Sequence, residues 1–397
     1  MKQTLQKFFQ LPFFNDKKYI SILWILLAVV SAIKQFNIAK YNNYSIFKYV
    51  YYHTIEKVSL YAEYPNLYFD HNHYGPIFSL VIAPFAILPD GLGMTLWSVF
   101  NAGLLVWAIQ KLPLNSSKIN LILWICAHEF LTTILGFQFN PIMTSIIVLS
   151  YVYINEGKDF WSAFLIILGT FIKLYGIVGL AFFFFSRNKP KFILSLIVWS
   201  GILFVLPMLI SSPEFIINSY QEWFERLVVK NSENASLVSM QDISVMGMFR
   251  RLTANPELSN LPFLVAGLLL FGLPYLRINL YKNPKFRLLL LASVLIFTVI
   301  FSSGSESPTY IIAFVGVAIW FVIQNKPISA FTWFLFIFAM VLTSFSPSDL
   351  IPKFLRDNYI QPYALKALPC ILIWLRIVYE MMVMKKEETN ENIKSFT

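Results

Sequence analysis

YPNLYFDHNHYGPIFSLVIAPFAILP, residues 64–89, sets a dense polar cluster directly against an apolar run, and the reading of this junction governs the rest of the chain. Asp70, His71, His73 and Tyr74 bring a carboxylate, two imidazoles and a phenol together within a few positions. From Pro76 the chain continues as IFSLVIAPFAIL, a segment at ease only in lipid or in buried protein. Chemistry at the mouth of a membrane helix is the first expectation it raises.

Composition supports that expectation. Hydrophobic residues make up 57% of the chain and charged residues 13%, with a mean hydropathy of +0.63, which leaves too little polar surface to cover a water-exposed globule. Apolar runs of about 20 residues, the length of a spanning helix, recur from residue 19 to residue 383. The chain therefore reads as an all-α polytopic membrane protein, one integral domain over residues 1–397. The abundant Phe, Tyr and Trp suit lipid-facing surfaces and interfacial belts, and an aromatic-lined lipid groove would have the same composition.

A net charge of +10 would point to nucleic acid in a soluble chain. Here the basic residues gather in short segments between apolar runs: Lys17 and Lys18; Arg187, Lys189 and Lys191; Arg277, Lys282, Lys285 and Arg287; Lys385 and Lys386. That is the positive-inside pattern, so these segments are placed in the cytoplasm and nucleic acid is not an expected partner. Cys126 and Cys370 both lie in apolar segments, which supports neither a disulfide framework nor a metal-thiolate site. The N-terminal MKQTLQKFFQLPFFNDKK lacks a cleavable apolar region, and the first apolar run reads as a retained helix.

Candidate spans fall near 19–36, 76–89, 92–110, 119–135, 141–155, 160–185, 192–210, 259–276, 288–303, 308–324, 328–343 and 364–383. Twelve spans, within a range of eleven to thirteen, put both termini in the cytoplasm, with residues 384–397 as a cytoplasmic tail. This count leaves Lys111 and Lys118 flanking an outside loop, against the charge rule. Residues 160–185 carry Lys173 and Gly176 at their centre and read as one span or as a pair of short helices. The longer polar stretches, 37–75, 211–258 and 344–362, then face outward. Within the first, NYSIFKYVYYHTIEKVSLY suits an interfacial helix or a structural cover helix.

Candidate functional residues concentrate on that outer face. A carboxylate that removes a proton from a hydroxyl must lie within hydrogen-bond reach of it, and Asp70 is best placed, with Glu63, Glu56, His71 and His73 as second choices. A solvated interfacial loop is the plainer reading. Asp70, His71 and His73 supply at most part of a metal ligand set. Lys173 is costly in lipid and so is a phosphate ligand, a snorkelling residue or the turn of a helical hairpin. His128 and Glu129 are a substrate contact or a buried polar network. In GFQFNP, Gln138 and Asn140 bind sugar hydroxyls or cap helix ends. Glu306 is a substrate ligand or compensates a helix dipole. Arg250 and Arg251, following a loop that contains Glu222, Trp223 and Arg226, grip a lipid phosphate or anchor the interface.

Three blocks together resemble glycosyltransferase family 87, which is similar to the polyprenol-phosphate-mannose-dependent mannosyltransferases of bacterial envelopes. They are YFDHNHYGPIFSLVIAPFAILPDGLGMTLWSVFNA, GFQFNPIMTSIIVLSYVYINEGKDFWSAFLIILGTFIKLYGIVGLAFFFF and ESPTYIIAFVGVAIW. The family's Tyr-Pro-Pro-like step corresponds to Tyr74, Gly75 and Pro76 with Pro84 and Pro89. Its Gly-Gln-x-Asn turn corresponds to Gly136, Gln138 and Asn140, and its lysine in a glycine-containing span to Lys173. One departure stands out. Many members carry an Asp just after the first span, where this chain reads Asn42, Asn43 and Tyr44.

The resemblance implies a GT-C-type fold with its active site opening outward under the first long loop, in the plasma (inner) membrane. It implies transfer of a hexose or pentose, mannose-like, from a polyprenyl-phosphate donor to a cell-envelope lipid or glycan acceptor, with inversion and without a metal. Asp70 or Glu63 would be the base. His71, His73, Tyr74, Gln138, Asn140, Lys173 and Glu306 would bind substrate, and membrane lipids, the lipid-linked sugar and a glycolipid or glycan acceptor would be the partners. No cofactor is expected beyond the donor itself. A transporter or flippase of a lipid-linked or anionic substrate is the rival, and it would distribute charges through the midplane. A non-catalytic membrane scaffold is a third reading.

Overall fold

The computed structural model describes Phe14, residues 16–237, Ser239 and residues 241–386. Residues 1–13, and the expected tail beyond residue 386, lie outside the described residues. Among the described residues the regular elements are helical throughout, with no strand. They form two compact units. One comprises Leu27–Leu104 and Ile134–Glu233; the other comprises the residues up to Leu26, Leu105–Thr133 and those from Asn234 onward.

Among the described residues, three helices are long and apolar enough to cross a membrane: α1 (Lys17–Asn37), α4 (Asp90–Gln110) and Lys189–Ile210, which is α8 (Lys189–Val205) extended by a 3-10 turn. On α8, Leu194, Ile197 and Val205 are exposed without any polar cover, as a lipid-facing surface requires. Shorter apolar helices include Asp159–Ile172, Leu174–Phe185, Leu261–Leu276, Ser307–Val322 and Ala330–Phe345.

In the first unit, α2 (Asn42–Glu56) packs on α3 (Phe78–Ala86). Phe47 stands edge-on to both Phe78 and Tyr74 at 5.0 Å. The apolar run expected to span at 76–89 is α3 alone, nine residues with Pro84 inside it. At 1.5 Å per residue it is about 14 Å long, roughly half of a bilayer core. The prolines at 76 and 89 bound the run and stop its extension.

After α4 the chain forms α5 (Ser116–Ile134), α6 (Asn140–Asn155) and α7 (Asp159–Ile172). Residues 160–185 fold as a pair: α7 ends, Lys173 is extended (φ −148, ψ 123), and Leu174–Phe185 returns as a 3-10 helix. Gly169 meets Gly176 and Ile166 meets Gly179, so the two limbs run antiparallel. Buried residues of the return limb are Gly176, Gly179, Phe182 and Phe185, one in every three. A 3-10 helix eclipses side chains at that spacing, so this stripe lies along a single line against α6 and α7. The glycines are required, because a Cβ at Gly176 would collide with the backbone of Gly169 and Thr170.

α9 (Pro213–Asn234) closes this unit as an amphipathic helix where the sequence reading placed an outer loop. Ile216, Tyr220, Trp223 and Leu227 recur at helical spacing, and Trp223 packs with Leu60 and Tyr61.

The second unit is built around α12 (Pro284–Ile300), α13 (Tyr310–Val322) and α15 (Leu368–Val383), with α10 (Val245–Thr253), α11 (Leu261–Gly272) and α14 (Ala330–Phe338) beside them. α12 and α13 are buried along nearly their whole length. Gly316 lets them approach until a Cβ there would press on the carbonyl of Ala292. Lys118 stands near the start of α5 and Lys285 near the start of α12, both in this unit. The expected outside loop at Lys111 and Lys118 counts 76–89 as a full span, whereas the helix there is nine residues long.

Gly176→Ala is expected to separate the hairpin limbs at a cost of about 1–3 kcal/mol, the usual penalty for overpacking. Gly201→Ala on α8, where a Cβ meets nothing within 4 Å, is expected to be neutral or slightly stabilising. Thermal unfolding of the two purified variants in one detergent checks this, and equal melting points would refute the hairpin packing.

Candidate functional site

Residues 57–77 form a loop fastened from several sides. Lys57 takes a left-handed conformation (φ 55) that ends α2, its N–H bonded to the His53 carbonyl. The Asn42 side chain clamps both backbone groups of Phe69, donating to its carbonyl and accepting from its N–H, each at 2.7 Å. Asn72 is fully buried and holds the backbone of Tyr74 in the same reciprocal manner. Tyr61 donates its hydroxyl to the Tyr74 carbonyl at 3.0 Å, and Trp223 donates Nε1–H to the His73 carbonyl at 2.9 Å. Finally, Gly75 N–H donates to the Ile172 carbonyl at 3.0 Å, at the tip of the α7 hairpin. A Cβ on Gly75 would strike the neighbouring Phe171 carbonyl, so glycine is needed for this approach.

Asp70 sits at the outer bend of this loop in a left-handed conformation (φ 71), where Asp pays less than most side chains. Its Oδ1 accepts the His71 N–H at 2.8 Å and lies 3.7 Å from His73 Nε2; its Oδ2 lies 3.7 Å from Lys230 Nζ. The distances to His73 and Lys230 are electrostatic contacts, past hydrogen-bond reach. The His73 imidazole, then the His71 amide and the Lys230 charge, hold the Asp70 carboxyl well below the usual carboxylate range against the opposing effect of burial. Burial pushes His73 below its ordinary value, so its ring is neutral at pH 7. Both His73 ring nitrogens are shielded from solvent, and neither has a hydrogen-bond partner among the described residues.

Other sequence candidates fall into place around this centre. His71 Nδ1 lies 2.9 Å from the Tyr61 carbonyl and its Nε2 3.4 Å from the exposed Glu63. Tyr74 is core rather than surface, stacked on Phe78 at 4.8 Å. Asn140 opens α6 and is buried; its Oδ1 accepts from Lys173 Nζ at 3.1 Å, and its amide is 3.5 Å from Gln138 Oε1. Lys173 also covers the Tyr175 ring at 4.5 Å. It stands at the break between two helices, where the chain turns, rather than in mid-span. Asp70, Glu63, His71, His73, Tyr74, Gln138, Asn140 and Lys173 thus share one unit, and Gly75 joins their two groups.

Glu306 belongs to the other unit, where it caps the turn Ser307–Thr309 in a capping box with Thr309. Glu129 accepts from Lys366 Nζ at 2.7 Å, and Lys366 also reaches Ser307 Oγ at 3.1 Å, while His128 Nδ1 is 3.2 Å from Ser344 Oγ. Arg250 is spent on its own loop, bonded to Asp242 (2.5 Å), the Leu258 carbonyl (3.2 Å) and Asn260. Arg251 holds the carbonyls of Ser239 and Gln241. Both arginines build the loop, Arg250 through a charge pair with Asp242 and Arg251 through neutral carbonyls.

Lys230 is a participant that the sequence reading missed, and Trp223, which it named only as part of an outer loop, braces the His73 carbonyl. The signal was available in the apolar spacing of α9, which predicts a helix and would have aligned Trp223 and Lys230, seven residues apart, on one face.

A cleft of about 550 Å³ opens beside the loop, lined by Lys40, Asn42, Asn43, Asn66, Phe69 and Phe137 among others. Its lining is rich in amides and aromatic rings, and Phe69, 76% exposed, precedes Asp70 directly. Asn42 and Asn43, which stand where the related pattern has Asp, are spent on structure: Asn42 on Phe69 and Asn43 on the Gly136 carbonyl at 2.8 Å.

Among known families, the model described as Glycosyltransferase family 87 matches residues 72–303. No curated protein matches the chain.

Asp70 generates a stability prediction with a definite sign. Folding lowers its pKa, so its ionised form stabilises the fold above the unfolded value of about 3.9, and that contribution is lost as pH falls through the lower folded value. Asp70→Asn is expected to destabilise at pH 7, by no more than about 1 kcal/mol because the side chain is 47% exposed. The difference from wild type should narrow below about pH 4. Thermal melts across that range decide it, and a pH-independent difference would refute the charge contacts.

Proposed function

Because the chain belongs to glycosyltransferase family 87 and is therefore a membrane glycosyltransferase, we propose that it is a GT-C-type enzyme using a polyprenyl-phosphate sugar as donor. It transfers a mannose-like hexose or pentose to a cell-envelope lipid or glycan acceptor with inversion. Family membership decides against the transporter and scaffold readings. The observation that carries the finer proposal is the link from Gly75 to Ile172, which supports Asp70 and Lys173 serving one reaction.

In this mechanism Asp70 receives the proton of the acceptor hydroxyl as its oxygen attacks the anomeric carbon. The bond from that carbon to the phosphate oxygen breaks, and polyprenyl phosphate departs from the opposite face. A carboxylate with so low a pKa is fully ionised but weakly basic, so it suits a late proton transfer, after an oxocarbenium-like transition state has made the hydroxyl acidic. Neutral His73, with unspent ring nitrogens beside Asp70, orients the carboxylate or relays the proton. Lys173 stabilises charge developing on the leaving phosphate, and Asn140 holds it in place. Gln138, His71 and Tyr74 complete the surroundings, and the cleft beside Phe69 admits the acceptor. Glu63 is the alternative base.

The enzyme lies in the plasma (inner) membrane with both termini cytoplasmic and the site facing outward. Crossings by α1, α4 to α7, the 3-10 limb, α8 and α11 to α15 make twelve. This order supports the placement, since it puts every basic cluster, Lys111 and Lys118 included, on the cytoplasmic side.

A purified-protein assay with polyprenyl-phosphate sugars and a panel of acceptors tests the site. Asp70→Asn is expected to lower kcat by about 10² to 10⁴, and Lys173→Ala by about 10². Wild-type turnover in both variants would overturn the assignment.

A further inference from the structure

The cleft of about 550 Å³ in the first unit gathers unbonded polar groups around one exposed ring. Its volume falls within the usual span of small-molecule sites, roughly 300–1,000 Å³. Phe69 is exposed, yet its backbone is pinned by the Asn42 side chain at both its N–H and its carbonyl, each bond 2.7 Å long. The ring therefore stands out from a fixed backbone, and an aromatic side chain loses little further freedom when a ligand covers it. Anchoring in lipid makes no demand on backbone position, whereas stacking on a ligand does.

The polar groups of the lining are mostly neutral. Tyr41, Tyr68, Asn66 and Asn43 line the cleft, and their two hydroxyls, the Asn66 amide and Asn43 Oδ1 bond to no described residue. Tyr68 is only 4% exposed, and an enclosed phenol with an unbonded hydroxyl is costly until a ligand or water meets it. Lys40 is the one charged residue of the lining among the described residues, which include no carboxylate there. Amides and hydroxyls match a ligand whose own groups are hydroxyls, each both donor and acceptor. A sugar ring also presents weakly positive C–H bonds on one face, and these suit the negative face of an aromatic ring. A lipid chain would leave the amides unsatisfied, and a phosphate calls for more than one cation.

The surroundings connect this cleft to the proposed reaction. Phe69 directly precedes Asp70. Another part of the lining is Gly136 and Phe137, whose carbonyls are held by Asn43 at 2.8 Å and by Trp97 Nε1 at 2.9 Å. That turn leads into α6 at Asn140, whose Oδ1 accepts from Lys173 Nζ. An occupant is thus bordered by the segment that carries the base and by the segment that leads to the phosphate-holding pair.

We propose that the occupant of this cleft is an uncharged sugar ring of the acceptor, not a lipid alcohol, and that Phe69 selects it by stacking. The inference rests on the assignment of Asp70 as base, and it adds the chemical class of the acceptor and the side chain that recognises it.

The test uses the full chain in nanodiscs with polyprenyl-phosphate mannose as donor. Methyl glycosides of mannose, glucose, galactose and arabinose are compared with octanol as acceptors. Binding is read apart from turnover, by saturation transfer from the protein to glycoside protons. Wild type binds and glycosylates at least one glycoside in preference to octanol, with saturation strongest on the C–H protons of one ring face. Phe69→Ala raises the acceptor KM about fivefold, the worth of one aromatic contact, and leaves the donor KM unchanged. Phe69→Tyr restores the acceptor KM, whereas Phe69→Leu, apolar but not aromatic, behaves as Phe69→Ala. Asp70→Asn keeps glycoside binding while losing turnover; turnover retained in Asp70→Asn, with binding still sensitive to Phe69, would overturn the base and uphold the cleft. The proposal is overturned if no glycoside binds, if octanol is the preferred acceptor, or if Phe69→Ala leaves both acceptor KM and saturation transfer unchanged. It is equally overturned if Phe69→Leu restores both, since the ring would then be a lipid anchor.

Discussion

The approach of Gly75 to the tip of the α7 hairpin is the constraint on which the rest of the first unit turns. A backbone N–H reaches the Ile172 carbonyl, and the absence of a side chain on Gly75 keeps the Phe171 carbonyl from blocking it. Through that contact a polar loop is registered against an apolar hairpin. The carboxylate of Asp70 and the ammonium of Lys173 come from segments of opposite character, one polar and one apolar, and neither segment alone could hold both. Trp223 and Tyr61 then brace the loop from above, each by a hydrogen bond to a loop carbonyl.

The membrane class and the helical architecture were legible because apolar composition and run length are bulk properties of the chain. The junction at 64–89 was legible as a polar loop entering an apolar run, but the length of its helix was not. Run length alone counted 76–89 as a span, whereas prolines limit its helix to nine residues. The break at Lys173 was half legible, since a lysine and a glycine in an apolar run signal a turn without saying how the limbs pack. Pairings between distant segments left no local trace. Lys230 beside Asp70 was invisible for this reason, and so was Lys366, which finds Glu129 across 237 positions. The family resemblance was readable from the order of weak motifs, and the departure at Asn42 and Asn43 is now structurally intelligible. Both amides carry loop-fixing hydrogen bonds that an acid could not fully reproduce, because a carboxylate has no N–H to donate.

The second unit solves its polar problem differently. Lys366 and Glu129 are both buried and bonded to each other, with Ser307 and the Tyr310 ring taking up the rest of the ammonium. Such a pair adds little net stability over an apolar packing of equal volume, yet removing one partner costs several kcal/mol, about 3–5. Its effect is to fix the segment before α15 against the turn that Glu306 caps.

The return limb of the hairpin has a granularity of its own. Because its buried stripe repeats every third residue, displacing the limb by one residue turns Gly176 and Gly179 about 120° away from α7, while displacement by three restores the same face. The limb can therefore hold only discrete positions, separated by about 6 Å along its axis. Lys173, fixed to its end, inherits that spacing, so its position along the limb is set in steps by the backbone.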